Sequence, residues 1–190
     1  MEFQKSSIPE VIICTPKVYE DDRGFLSESY RKDKLDNFIS HPVNFCQDIT
    51  TYSKKNVFRG LHFQKPPFSQ SKLVKVLKGK VIDFAVDLRV NSETFLQHVS
   101  IELSDKNHKQ LFIPRGFAHG FLSLEDSIFS YKVDNFYSID HDMGISVFDS
   151  KLNIDLKNYK DIIVSDKDNS LPNILDINNH FKYSEDLYEK

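Results

Sequence analysis

The chain has no tryptophan, two cysteines, two methionines and six glycines in 190 residues, and no apolar run approaches the roughly 20 residues of a membrane-spanning helix. Two cysteines, Cys14 and Cys46, are too few for a disulfide framework and lack the paired spacing of a zinc site, so both read as small hydrophobes in a reducing compartment. The shortage of glycine excludes a collagen-like or low-complexity chain. A basic excess is also missing: 25 Lys and Arg stand against 28 Asp and Glu, a formal net charge of -3. That balance excludes the electrostatic footprint of a nucleic-acid binder, so a site for an anion has to be built locally from particular residues. The first residues carry no basic flank followed by a sustained apolar stretch, which predicts an unexported, cytoplasmic protein. With no repeat, linker or charge block, a single domain over residues 1–190 is expected, its core at about 8–172 and a polar tail after it.

What is abundant is aromatic. Sixteen Phe and eight Tyr contribute to a composition that is 39% hydrophobic, compatible with strands and a full core. Alternating apolar segments recur at 11–14, 73–77, 81–88, 98–103, 110–113, 128–131 and 145–148, separated by turn signals such as Lys78-Gly79 and Asn91-Ser92. Helical periodicity is scarce, with 32–39 one candidate that sets Leu35, Phe38 and Ile39 on one side. The pattern predicts an all-β fold, an antiparallel sandwich or jelly-roll barrel with a few short peripheral helices, whose interior can hold a small ligand. One more apolar run lies at 161–164, and the charged end at 182–190 reads as a solvated helix or a loosely held tail.

Several polar residues interrupt this pattern. In Arg59-Gly60-Leu61-His62-Phe63-Gln64, alternation places His62 and Gln64 opposite Leu61 and Phe63. Taken singly, His62 reads as a hydrogen-bonded histidine at a strand end, Lys72 as a solvent-facing lysine, and Tyr131 as a core aromatic with its hydroxyl at the rim. The run Pro114-Arg115-Gly116-Phe117-Ala118-His119-Gly120-Phe121 is harder to explain that way, because a turn and two glycines deliver one imidazole among aromatics.

Pro114-x-Gly116-x-x-His119 resembles the second half-motif of the cupins, a jelly-roll superfamily that commonly binds metal. The first half-motif here offers only His62, with Gln64 where a second histidine would stand. Two imidazoles without a nearby carboxylate make a poor set for zinc or iron, so a barrel without metal or cofactor is expected. Histidine, lysine and tyrosine in such a barrel suit proton transfer at a carbon beside a carbonyl: a base removes the proton, a cation stabilises the enolate, and an acid returns the proton. Return from the opposite face is epimerisation.

The blocks Asp22-Arg23-Gly24-Phe25, Gln47-Asp48, 57–64, Gln70-Ser71-Lys72-Leu73-Val74, 83–89, 113–121, Tyr131-Lys132 and Ser165-Asp166-Lys167-Asp168 together resemble the nucleotide-sugar 3,5-epimerases typified by dTDP-4-dehydrorhamnose 3,5-epimerase, from about Ile8 to Pro172. The resemblance implies His62 as general base, Asp168 as its orienting carboxylate, Tyr131 as acid and Lys72 as the cation at the C4 oxygen, with His119 nearby. It implies Arg23 and Arg59 as diphosphate contacts, Glu28, Gln47 and Asp48 as base and ribose contacts, Tyr137 as the ring stacked on the base, and Asp142 and Lys167 as further substrate contacts.

Three departures stand out. Ile49 follows Gln47-Asp48 where the family usually has Asn, and Val147 and Leu156 occupy the neighbourhoods of its usual tryptophans. The expectation is cofactor-independent 3,5-epimerisation of a nucleotide-linked 4-keto-6-deoxyhexose, most simply dTDP-4-dehydro-6-deoxy-D-glucose, by a homodimer, with Arg23 reaching the neighbouring subunit. Rival readings are a C3-only or C5-only epimerase on a dTDP-, CDP- or GDP-linked sugar, a metal-dependent cupin isomerase or dioxygenase, and a sugar-binding module without turnover.

Overall fold

A computed structural model describes residues 1–178 and 181–188. Two antiparallel sheets face one another in a jelly roll. The first has the order β1-β2-β10-β7-β12-β5, formed by Glu2–Lys5, Ile12–Thr15, Gln110–Ile113, Lys72–Lys78, Ser127–Val133 and Gln47–Ser53. The second has the order β13-β6-β11-β8-β9, formed by Asp142–Gly144, Phe58–Gln64, Phe117–Ser123, Lys80–Asp87 and His98–Ser104. β3 (Val18–Asp21) and β4 (Gly24–Ser27) make a separate two-stranded hairpin. Helix α1 covers Lys32–Ile39, the span its periodicity predicts, and ends at Ser40 in the left-handed region. A short α2 covers Asp166–Asn169. No helix among the described residues is long and apolar enough to cross a membrane.

The period-two pleat sorts side chains into three apolar layers. Between the sheets, Val74, Val76 and Phe129 meet Val81, Ala85, Phe117 and Phe121, and the Phe121 and Phe129 rings stack at 4.1 Å. Outside the second sheet, Phe58, Leu61, Phe84 and Leu122 pack under Ile145, Val147, Ile174 and Phe181. Outside the first, Ile12, Leu73 and Phe112 pack against Leu35 of α1 and Val43. Each fully buried side chain of this kind contributes about 1.5–3 kcal/mol relative to exposure.

Two expectations are corrected. Residues 145–148 are not a strand: pairing ends at Gly144, opposite His62. Ile145 still exchanges backbone hydrogen bonds with Leu61, after which the chain turns and sinks Ile145 and Val147 into the outer layer. Burial of alternate residues fits a turn as well as a strand, which is why the pattern misleads. The end is neither a solvated helix nor loosely held over 182–188, and residues 189–190 lie outside the described ones. Phe181 and Tyr183 exchange backbone hydrogen bonds with Val90, and the Tyr183 and Tyr188 rings pack against the Arg89 and Arg115 guanidiniums. A few aromatics spaced among charges anchor this segment although its composition is polar. Periodicity also passes over β5, whose inward-facing residues Gln47, Thr51 and Ser53 are polar.

Candidate active site

A cavity of about 260 Å³ opens between the sheets, lined by Thr51, Arg59, His62, Lys72, His119, Phe121, Tyr131, Ser165, Lys167 and Asp168. His62 and Arg59 come from β6 and His119 from β11, in one sheet; Lys72 from β7 and Tyr131 from β12 belong to the facing sheet.

In a regular strand Arg59 and His62, three residues apart, would point to opposite faces. A bulge prevents this. His62 lies opposite His119 and Arg59 opposite Phe121, so three steps along β6 match two along β11. The extra residue falls at Gly60, whose φ is +119°; a Cβ there would sit 2.6 Å from the Cα of Gly120. Its N–H, freed from the ladder, donates to Asp168 Oδ2 at 3.0 Å.

Asp168 is delivered by α2, where Ser165 Oγ caps the helix by accepting from the Asp168 N–H. The other carboxylate oxygen meets His62 Nε2 at 2.7 Å. Burial alone would raise the Asp168 carboxyl, but the hydrogen bonds from His62 and Gly60 outweigh it and hold the group below the usual carboxylate range. With Nε2 engaged by a carboxylate, Nδ1 is the nitrogen able to take a proton.

A second histidine–carboxylate pair lies deeper. His119 Nε2 is 2.9 Å from Asp83 Oδ2, and both side chains are buried. Burial pushes the Asp83 carboxyl up and the His119 imidazole down, each opposed by the other. Lys72 lies near this pair and donates to the His62 carbonyl at 3.3 Å. Burial lowers its ammonium to about 8, with Asp83 and Asp142 pulling the other way. Burial raises the Tyr131 phenol, which stays protonated at neutral pH.

At the rim, Asp142 Oδ2 accepts from Lys167 Nζ at 2.7 Å and from the exposed Tyr137 hydroxyl at 3.3 Å. Gln64 is saturated structurally: its amide donates to the Phe68 and Phe136 carbonyls and accepts from Ser138 N. Among the described residues no three His, Cys, Asp or Glu side chains are grouped as a metal site.

Seven of the thirteen residues singled out from sequence line the cavity: Arg59, His62, Lys72, His119, Tyr131, Lys167 and Asp168. Asp142 and Tyr137 adjoin it through Lys167. Gln47 shares the inward face of β5 with Ile49, which lies opposite Tyr131. Asp48 points to the other face and pairs with Lys132. Glu28 pairs with Lys34. Arg23, 90% exposed on the β3–β4 hairpin, pairs with Asp21. Sequence reasoning gave no role to Asp83, Phe121 and Ser165, which lie in its motif blocks, and passed over Thr51. Asp83 carried a usable signal, an acid inside the apolar run 81–86.

The family model described as dTDP-4-dehydrorhamnose 3,5-epimerase matches residues 5–176. The chain is 44% identical over 172 residues to the dTDP-4-dehydrorhamnose 3,5-epimerase of Escherichia coli K12, covering 90% of this chain and 93% of the relative. Among solved structures, the dTDP-6-deoxy-D-glucose-3,5-epimerase of Legionella pneumophila in complex with dTDP-4-keto-L-rhamnose superimposes with a TM-score of 0.93 at 36% identity, covering 97% of this chain and 99% of that one. The dTDP-4-dehydrorhamnose 3,5-epimerase of Bacillus anthracis, with TDP and PPi bound, gives a TM-score of 0.86 at 42% identity, covering 91% and 99%.

Proposed function

The chain belongs to the dTDP-4-dehydrorhamnose 3,5-epimerase family and is an isomerase of that activity; from that premise we propose that His62 and Tyr131 are the base and acid that invert C5 and C3 of dTDP-4-dehydro-6-deoxy-D-glucose. The observation that carries this reading is their placement on facing sheets around one cavity. Inversion needs proton removal from one face of the sugar and return to the other.

His62 takes the proton through Nδ1, and the electron pair of the broken C–H bond moves into the C4 carbonyl to form an enolate. Asp168 orients the imidazole and stabilises its cation, which its own ionised state makes favourable. Lys72 balances the enolate oxygen. Tyr131 donates its hydroxyl proton to carbon from the opposite side as the carbonyl re-forms, and solvent exchange restores both groups. The cycle repeats at the other carbon. Arg59 and Lys167 at the cavity wall suit diphosphate oxygens.

Arg23, exposed and directed away from the cavity residues, is assigned to the site of a second copy. Its hairpin forms a sheet of its own and exposes Tyr19, Phe25 and Leu26, an apolar arm suited to a partner. A homodimer in which this arm brings Arg23 to the neighbouring diphosphate completes the set; a monomeric mass by light scattering together with an unimpaired Arg23→Ala variant defeats it.

Incubation of substrate in heavy water tests the reaction. Deuterium is expected at both C3 and C5, and Tyr131→Phe is expected to keep proton abstraction while losing or misdirecting inversion. Label at a single carbon supports the one-site alternative. Unchanged inversion in Tyr131→Phe defeats the assigned acid.

A further inference from the structure

Behind Lys72, on the side away from the cavity, buried polar groups join three strand ends. Lys72 opens β7, paired with Val133 of β12 and Ile113 of β10. The residue before it, Ser71, is fully buried. Its N–H donates to Asp134 Oδ1 at 2.6 Å, and the Asp134 N–H returns a bond to the Ser71 carbonyl at 3.3 Å. Asp134 Oδ2 accepts from Arg115 Nε at 3.1 Å. Ser71 ends the loop into β7, Asp134 directly follows β12, and Arg115 occupies the turn into β11, so the three residues flank the strands that carry Lys72, Tyr131 and His119.

A single group from far along the chain closes the cluster. The Tyr188 hydroxyl lies 2.8 Å from Ser71 Oγ and accepts from the Arg115 N–H at 3.2 Å. Arg115 also donates from Nη1 to the Leu187 carbonyl at 2.8 Å, and its guanidinium lies 5.1 Å from the centre of the Tyr188 ring. The ring is packed against His41 at 4.2 Å. Burial raises the phenol to about 12, which keeps it protonated at any working pH.

We propose that Tyr188 is a positioning residue for the epimerisation: through Ser71 and Arg115 it holds the start of β7, and so the Lys72 ammonium, in register with the cavity. The proposal rests on the role assigned to Lys72 above. The physical case is that Lys72 is buried and its side chain has, among the described residues, one hydrogen bond, of 3.3 Å to the His62 carbonyl, so the side chain is placed mainly by its backbone. That backbone is fixed on the strand side by the ladder and on the loop side by the Ser71–Asp134 exchange. Without the phenol oxygen, the described structure leaves the Arg115 N–H with no acceptor and Ser71 Oγ with no partner. The cheapest relief is movement of the loop that carries Ser71.

The test compares full-length wild type with Tyr188→Phe and, as a control that loses packing outside this cluster, Phe181→Leu. Turnover of dTDP-4-keto-6-deoxyglucose is measured well below the melting temperature of each, with melting curves alongside. Tyr188→Phe is expected to lower kcat by roughly 10-fold with KM within about twofold, since misplacement on the ångström scale costs up to about 10²-fold. Phe181→Leu is expected to lower Tm at least as much and leave kcat unchanged. Equal kcat in Tyr188→Phe and wild type, or losses in both variants that track Tm, overturn the proposal. Hydrogen exchange at the Ser71 and Lys72 amides gives a readout independent of turnover, expected to be at least about 10-fold faster in Tyr188→Phe than in Phe181→Leu; equal rates overturn the proposal. A wild type that leaves substrate protons in place defeats the base–acid reading instead, and the amide comparison then decides the positioning role.

Discussion

Two histidine–carboxylate pairs face the same cavity, and their chemistry diverges because their surroundings do. His62 and Asp168 meet at 2.7 Å near the mouth, where the imidazole is 31% exposed. His119 and Asp83 meet at 2.9 Å with the imidazole 7% exposed and the carboxylate fully covered. Asp168 accepts from His62 through one oxygen and from the Gly60 N–H through the other, which keeps it ionised. Asp83 has one donor in His119, while its second oxygen is buried without a hydrogen-bond partner among the described residues, and its carboxyl rises. The outer pair therefore sets an ionised carboxylate against its imidazole, the arrangement the proposed base requires. The inner pair keeps its imidazole neutral and lends negative field to Lys72. Residue type does not set these roles; the count of donors and the access of water do.

The comparison breaks most visibly at the two histidines. His62→Asn is expected to cut deuterium uptake at C3 and C5 by about 10²–10⁴-fold, the usual contribution of a general base, whereas His119→Asn is expected to cost far less. Equal losses would abolish the distinction between the pairs.

A smaller effect sharpens what the inner pair does. Lys72→Met is expected to lower kcat by about 10²-fold, as loss of an oxyanion-stabilising donor does, and to raise Tm at pH 7. The sign follows from linkage. Burial takes the ammonium from 10.5 to about 8, so the unfolded chain holds this proton more tightly. Retaining the charge costs stability at all pH values below about 8, by up to about 3 kcal/mol, and that cost fades as pH rises from about 8 toward 10.5. Activity that depends on the ammonium is correspondingly expected to fall above about pH 8 in a pH–rate profile. A Tm lowered by Lys72→Met, or an alkaline limb unchanged in that variant, would show that the lysine is held there for stability instead.

Much of this was legible from local pattern. The strand positions of β2, β7, β8, β9, β10 and β12 follow from alternation, and α1 follows from Leu35, Phe38 and Ile39 at helical spacing. His62, Lys72, His119 and Tyr131 stood out because polar residues broke an apolar rhythm. Other features were hidden for identifiable reasons. β11 is buried on both faces and so lacks alternation. The final segment looks solvated because its anchors, Phe181, Tyr183 and Tyr188, are spread among charges. Asp83 was left without a role because its partner, His119, lies 36 residues away along the chain.

By itself the sequence determined the all-β class and the residue types available for proton transfer, because composition and period-two patterning are properties of neighbours along the chain. Tertiary structure alone decided which of those residues share a cavity. The bulge at Gly60 turns Arg59 and His62 to one side, α2 brings Asp168 across 106 positions to His62, and Tyr188 closes a cluster 117 positions from Ser71. Those placements depend on register between strands and on packing between distant segments, which no local period encodes.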